Sequence, residues 1–149
     1  MAIRQTGPNL QQHMAHLKAA LYERMAAEQL EVVEELVQQC FDLQRQPDGT
    51  PWPERADGSG RPLLLTIGET LKFYSDHTGS SLGTVYVDCP TKPHNLFQRL
   101  GTVVNGETRI PARPWAPEPG EPMPAAWQMK IDARLRSVFR KAWQAARGR

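Results

Sequence analysis

Residues 41–52 read Phe-Asp-Leu-Gln-Arg-Gln-Pro-Asp-Gly-Thr-Pro-Trp, and the character of the chain changes across them. Before Phe41, apolar residues recur at steps of three and four. From Pro47 onward residues 47–62 hold four prolines and three glycines, a composition that rules out regular structure. Pro-Asp-Gly is turn chemistry: proline presets φ, the aspartate side chain accepts from the main chain just beyond it, and glycine accepts a positive φ. A helix therefore ends here and a long loop begins. Phe41 and Trp52 stand where they clamp the two ends of the turn.

Working back from Phe41, Thr6-Gly7-Pro8-Asn9 reads as a helix start with Asn9 as N-cap. Leu10, Met14, Leu17, Leu21 and Met25 then fall within about 80° of one another on a helical wheel. Leu30, Val33, Val37, Cys40 and Phe41 form a second cluster rotated by roughly 100° or more. The stripe jumps near Ala26-Ala27. Either one continuous helix buries two faces, with a helical arm over 1–27 contacting a neighbouring molecule, or a bend or short break separates two helices.

Forward of the loop, Leu63-Leu64-Leu65 and the residues after Gly68 restart the hydrophobic signal, and Leu82 to Asp88 alternates as a strand, so an antiparallel pair is expected. Pro90 and Pro93 interrupt, His94 to Leu100 has the length of a helical turn or two, and Gly101 closes it. Thr102-Val103-Val104 and Thr108-Arg109-Ile110 flank Asn105-Gly106, the strongest short hairpin signal. Residues 111–124 hold six prolines and are expected to run as a stiff, extended arm. Trp127, Ile131, Leu135, Val138 and Ala142 then share one helical face, with Lys130, Arg134, Arg136, Arg140, Lys141 and Arg147 away from it. A basic amphipathic helix ends the sequence.

The 149 residues suit a single domain, 1–149, and a composition 40% hydrophobic and 23% charged suits a globular one. No stretch approaches the roughly 20 apolar residues that cross a bilayer, and Met1 to Asn9 lack the apolar core of a signal peptide, so the expected setting is a cytoplasm with no membrane partner. Cys40 and Cys89 have no CxxC spacing and are expected to be free thiols. The net charge is only +2, but residues 128–149 hold seven Lys or Arg against one Asp. That asymmetry suggests three uses: contact with DNA, attraction to the acids of the first helix, or a solvated face.

Catalytic chemistry finds little footing. His13 and His16 sit three apart, a spacing that places two imidazoles on one metal, but no acid or cysteine stands at the neighbouring positions one turn on. Asp48, Glu54 and Asp57 lack the order of an EF-hand, and turn roles explain them better. There is no GxSxG, Cys-His signature or Walker-type loop. The expectation is a protein that is not an enzyme and holds no metal or cofactor.

Four words do carry information. Phe41 and Gln44, then Pro47-Asp48-Gly49 and Trp52, resemble "F-x-x-Q-x-x-PDG-x-x-W". Leu65-Thr66-Ile67-Gly68-Glu69-Thr70-Leu71 is similar to "L-x-x-TG-x-L", with Ile67 for the usual Thr. Leu96-Phe97-Gln98-Arg99-Leu100-Gly101 takes the place of "A-x-x-H-Q-F-G", with Gln98 where His is usual and Arg99 where Gln is usual. Ile110-Pro111-Ala112-Arg113-Pro114-Trp115 looks like "IPARPF", with Trp for Phe. In that order these words resemble the phage virion morphogenesis family, the tail-completion and head-tail joining neck proteins of tailed bacteriophages.

The resemblance implies an α+β fold in which a long N-terminal helix and a C-terminal helix pack on a small antiparallel sheet with long loops, and in which a glycine, here Gly68 ahead of Leu71, opens the first strand. It implies a structural subunit of a virion ring that completes the tail and joins it to the DNA-filled head. The expected partners are further copies of the chain, as a hexamer or alternatively a dodecamer, tail terminator or tail tube proteins, head-closure or connector proteins, and double-stranded DNA passing through the channel. Trp115 is either an anchor on a neighbouring subunit or folded back on its own sheet, and Arg113 pairs across subunits, within its own or with water. Lys130, Arg134, Arg136, Arg140 and Lys141 are the candidates for a DNA channel or an inter-subunit contact. The alternative is a small DNA-binding protein that uses the same basic helix.

Overall fold

The computed structural model describes residues 10–54, 58, 64–90, 98–118 and 120–147. The helix start at Thr6 to Asn9, much of the 47–62 loop, and His94 lie outside the described residues. The first helix, α1, is Leu10–Asp42, 33 residues without interruption. The short break considered near Ala26-Ala27 does not occur. Alanine is the strongest helix former and no glycine or proline stands between Leu10 and Gln46, so nothing breaks the backbone there. The stripe jumps because α1 packs on two partners. One side meets the C-terminal helix α3 (Ala125–Arg147); the other meets the short helix α2 (Leu65–Thr70) and the strands β1 (Lys72–Ser75) and β2 (Val85–Asp88).

The end of α1 is built as the Pro-Asp-Gly word suggests. The main-chain N–H of Arg45 donates to the carbonyl of Cys40 at 2.9 Å and that of Gln44 to Phe41 at 3.3 Å, the paired bonds of a Schellman ending. Gln44 takes the left-handed position, φ +53°, where glycine is usual. Its side-chain amide donates to the Phe41 carbonyl, an anchor glycine lacks. The chain then reverses: Gln46 N–H donates to the Thr50 carbonyl at 2.7 Å, Trp52 N–H to Gln44 at 2.8 Å, and Thr50 N–H to Oδ1 of Asp48 at 2.8 Å. Trp52 is thereby returned to Phe41.

Residues 65–70 are helical, so Gly68 lies inside α2 and the first strand opens at Lys72. Leu64, Ile67 and Leu71, spaced by three and four, all turn toward the core, a pattern a strand cannot satisfy. β1 and β2 pair antiparallel with Phe73 opposite Val87 on the core side and Tyr74 opposite Tyr86 on the outside. A second hairpin joins β3 (Thr102–Val104) to β4 (Glu107–Ile110), with Asn105 and Gly106 at φ +52° and +80°, the left-handed pair that a two-residue turn needs. The α+β class with two helices on antiparallel strands stands, but the strands form two separate two-stranded sheets.

In α3, Trp127, Ile131 and Val138 are buried and Leu135 and Ala142 half-buried, the face the sequence marks. Lys130 reaches Gln39 of α1, Arg134 reaches Glu35 and Glu28, and Phe139 and Trp143 border a groove with Met25, so the two helices run antiparallel. At 1.5 Å per residue α1 is about 50 Å long and α3 about 35 Å. The overhang leaves Leu10, Met14 and Leu17 exposed, at 74%, 58% and 54%. Among the described residues no helix is long and apolar enough to cross a membrane.

Val37 is the side chain most completely enclosed, at 0% exposure. Val37→Ala leaves two methyl groups of empty space beside Phe41 and lowers unfolding free energy by about 2 kcal/mol in urea titration, with little change in slope.

Candidate functional site

Phe41 lies between two tryptophans. Its ring meets Trp52 edge-on at 5.4 Å and 81°, and Trp115 at 5.7 Å and 38°. The Trp52 indole N–H donates to the Pro114 carbonyl at 2.9 Å, tying the turn after α1 to the Pro-Ala-Arg-Pro segment. Gly68 closes a third side: a Cβ there would lie 3.0 Å from the Phe41 ring. Trp115, 2% exposed, folds back on its own core and does not reach out as an anchor. Pro111 to Glu118 likewise lie along the chain's own body, because Arg113 and Trp115 point inward and hold them there.

Arg113 is 5% exposed. Its Nε donates to the carbonyl of Pro53 at 3.1 Å, one terminal nitrogen to the carbonyl of Glu54 at 3.2 Å, and the other to Oε1 of Gln98 at 3.3 Å. Its own main-chain N–H donates to the Gln98 carbonyl at 2.9 Å. The guanidinium fork thus joins three segments of one chain. Residues 98–100 are helical, and Gly101 ends them at φ +73°, where a Cβ would come within 2.6 Å of the Ile110 carbonyl. Arg99 pairs with Glu118 at 2.9 Å and lies over the Trp115 ring at 5.8 Å. Of the matched residues, Leu71 packs at the edge of this core, Ile110 and Pro111 are half-buried, and Ala112, Asp48 and Gly49 are exposed.

On α3 the cations divide. Arg134 pairs with Glu35 at 2.9 Å and Glu28 at 3.3 Å, with Glu31 at 4.0 Å; these carboxylates, Glu35 first, raise its pKa further. Lys130 donates to Gln39 at 3.1 Å. These two join α3 to α1 within the chain. Arg136, Arg140 and Lys141 are exposed, with no ion pair among the described residues, and Arg147 lies over the exposed Trp143 ring at 5.3 Å. Phe139 and Trp143 stack with centroids 6.4 Å apart and border a groove of about 620 Å³ with Met25, Leu135, Arg136 and Arg140. Neither aromatic belongs to the apolar face read from the sequence. Their spacing of four, beside that face rather than on it, was the available signal.

The titratable groups have structural explanations. Burial pushes the Cys40 thiol up to about 12, away from thiolate chemistry. The Thr50 N–H holds the Asp48 carboxyl below its ordinary value, and the Thr84 N–H followed by the Tyr86 hydroxyl does the same for Asp76 at the tip of the first hairpin. His13 and His16 are exposed on the overhang of α1, and the described residues contain no group of three or more His, Cys, Asp or Glu arranged to hold a metal. The sequence matches no protein-family model, no curated protein and no solved structure.

Arg113→Lys keeps the charge but removes the fork, leaving at least one partly buried acceptor without its donor. It should lower stability by about 2 kcal/mol by chemical denaturation. A loss within experimental error would show that the fork contributes little.

Proposed function

We propose that this chain is a structural subunit of a ring at the tail end or neck of a tailed phage, completing the tail, joining it to the DNA-filled head and leaving a channel for the genome. The observation that carries the reading is that three of the four resembling words meet around Phe41 and the fourth is tied to them through Arg113. Phe41 and Trp52, Gly68, Trp115 and, through Arg113, Gln98 come from segments far apart in sequence and form one packed unit. A shared set of words is expected when a family preserves such a unit, and here each word has its physical partner. Its partners in this reading are further copies of itself in a hexamer or dodecamer, tail terminator or tube proteins below, and head-closure or connector proteins above.

Purified particles from the source phage or prophage, resolved by electron microscopy with protein identification by mass spectrometry, test the reading. The chain is expected in the joining layers in a ring's copy number. Its absence from particles that are otherwise complete would overturn the assignment. A second reading, a small DNA-binding protein, is favoured by the exposed cations Arg136, Arg140 and Lys141 on α3, which have no ion pair among the described residues. It requires duplex binding that weakens steeply as salt rises. No binding at low ionic strength removes it.

A further inference from the structure

We infer that the outward face of α3 in one copy packs antiparallel on the outward face of α1 in a second copy. This contact rests on the reading of the chain as a self-assembling subunit and supplies the surfaces it uses. On α3, Arg136, Arg140, Trp143 and Arg147 are exposed on the side away from Trp127, Ile131 and Val138. On α1, Glu23, Ala27, Glu31 and Glu34 are exposed together along one side. Apart from Asp132 one turn before Arg136, the α3 row is cationic around an exposed indole; the α1 row is anionic around a small residue.

The spacings match. Two antiparallel helices rise equally per residue, so facing positions follow the same intervals in opposite chain directions. From Arg136 to Trp143 to Arg147 the intervals are seven and four residues, and from Glu34 back to Ala27 and Glu23 they are also seven and four. Setting Arg136 on Glu34 brings Arg147 onto Glu23 and seats Trp143 over Ala27, with Arg140 beside Glu31. Exposed ion pairs alone contribute little. Trp143, 54% exposed in the single chain, supplies the apolar centre, and the charges around it fix register and partner. Inside one chain Arg134 of α3 already pairs with glutamates of α1, so the contact between copies repeats a chemistry the fold uses.

Each copy presents both faces, and the two faces differ. The contact is therefore head-to-tail, and it forms a ring when its rotation closes. Pairs of α1 and α3 then alternate, one within a chain and the next between chains. Duplex DNA would engage the arginines but leave both Trp143 and the acidic row of α1 uncovered.

The test uses the full-length chain in sedimentation velocity and native mass spectrometry across concentration and salt, with circular dichroism melts to show that every variant is folded. Wild type is expected to assemble, less so as salt rises. R136E/R147E and E23K/E34K should each weaken assembly by at least about tenfold. Mixing the two variants in equal amounts should restore it, because the reversed α3 then meets the reversed α1. Ala27→Trp, which fills the seat of Trp143 without changing charge, should also weaken it. Variants that assemble like wild type would overturn this interface while leaving the ring reading intact. A wild-type chain that stays monomeric at low salt up to about 1 mM would overturn the contact too, and particle composition would then decide the ring reading separately. Loss of duplex binding in R136E/R147E with unchanged self-association would assign the face to DNA instead.

Discussion

Phe41 held between Trp52 and Trp115 is the contact on which the rest of the structure depends. Aromatic pairs of this kind add about 0.5–1.5 kcal/mol each beyond the area they bury, and truncating one such ring in a core costs about 3–5 kcal/mol. More is at stake than the energy. The ring stands at the last turn of α1, and the segments that reach it are the turn after that helix, α2 through Gly68, and the Pro-Ala-Arg-Pro segment after β4. Without the contact, three loop-rich segments would have no common point of attachment. The prolines limit how far those segments can rearrange, and the Arg113 fork fixes them by hydrogen bonds that a smaller cation cannot make together.

The helix pair is held differently. Trp127, Ile131 and Val138 bury an apolar face, while Arg134 lies among Glu28, Glu31 and Glu35 at the edge of the pair. These ion pairs are partly exposed and screened by salt, so their main effect is to favour one antiparallel register over its neighbours. A similar division, exposed charges around Trp143 on α3 and around Ala27 on α1, recurs on the outer faces of the two helices. The proposed contact between copies draws on that repetition.

Of the residues in the resembling words, Trp115 and Arg113, for which the sequence leaves both a neighbouring subunit and the chain's own body open, hold the interior here, and Trp52 joins them as the clamp on Phe41. A proline-framed Trp reads from sequence as an anchor because it offers large area at low entropic cost. The same properties suit it to pinning a loop internally, and the local sequence does not distinguish the two. Exposed apolar side chains stand elsewhere, among them Leu10, Met14 and Leu17 on the α1 overhang and Trp143 on α3.

The sequence by itself determined the elements whose signals are local. The Pro-Asp-Gly turn, the Asn-Gly hairpin and the buried face of α3 each depend on φ preferences or periodicity within a few residues. It misplaced the start of β1, because Leu64, Ile67 and Leu71 satisfy helical spacing only once a core lies beneath them. It left open whether α1 breaks, because a shift in its apolar stripe is compatible with a kink or with two packing partners. Tertiary structure alone decided that α1 continues unbroken through Ala26, that Arg134 meets glutamates some hundred positions earlier, and that Trp115 turns inward. Those outcomes depend on which distant segment is available to bury a surface, and no window of local sequence contains that information.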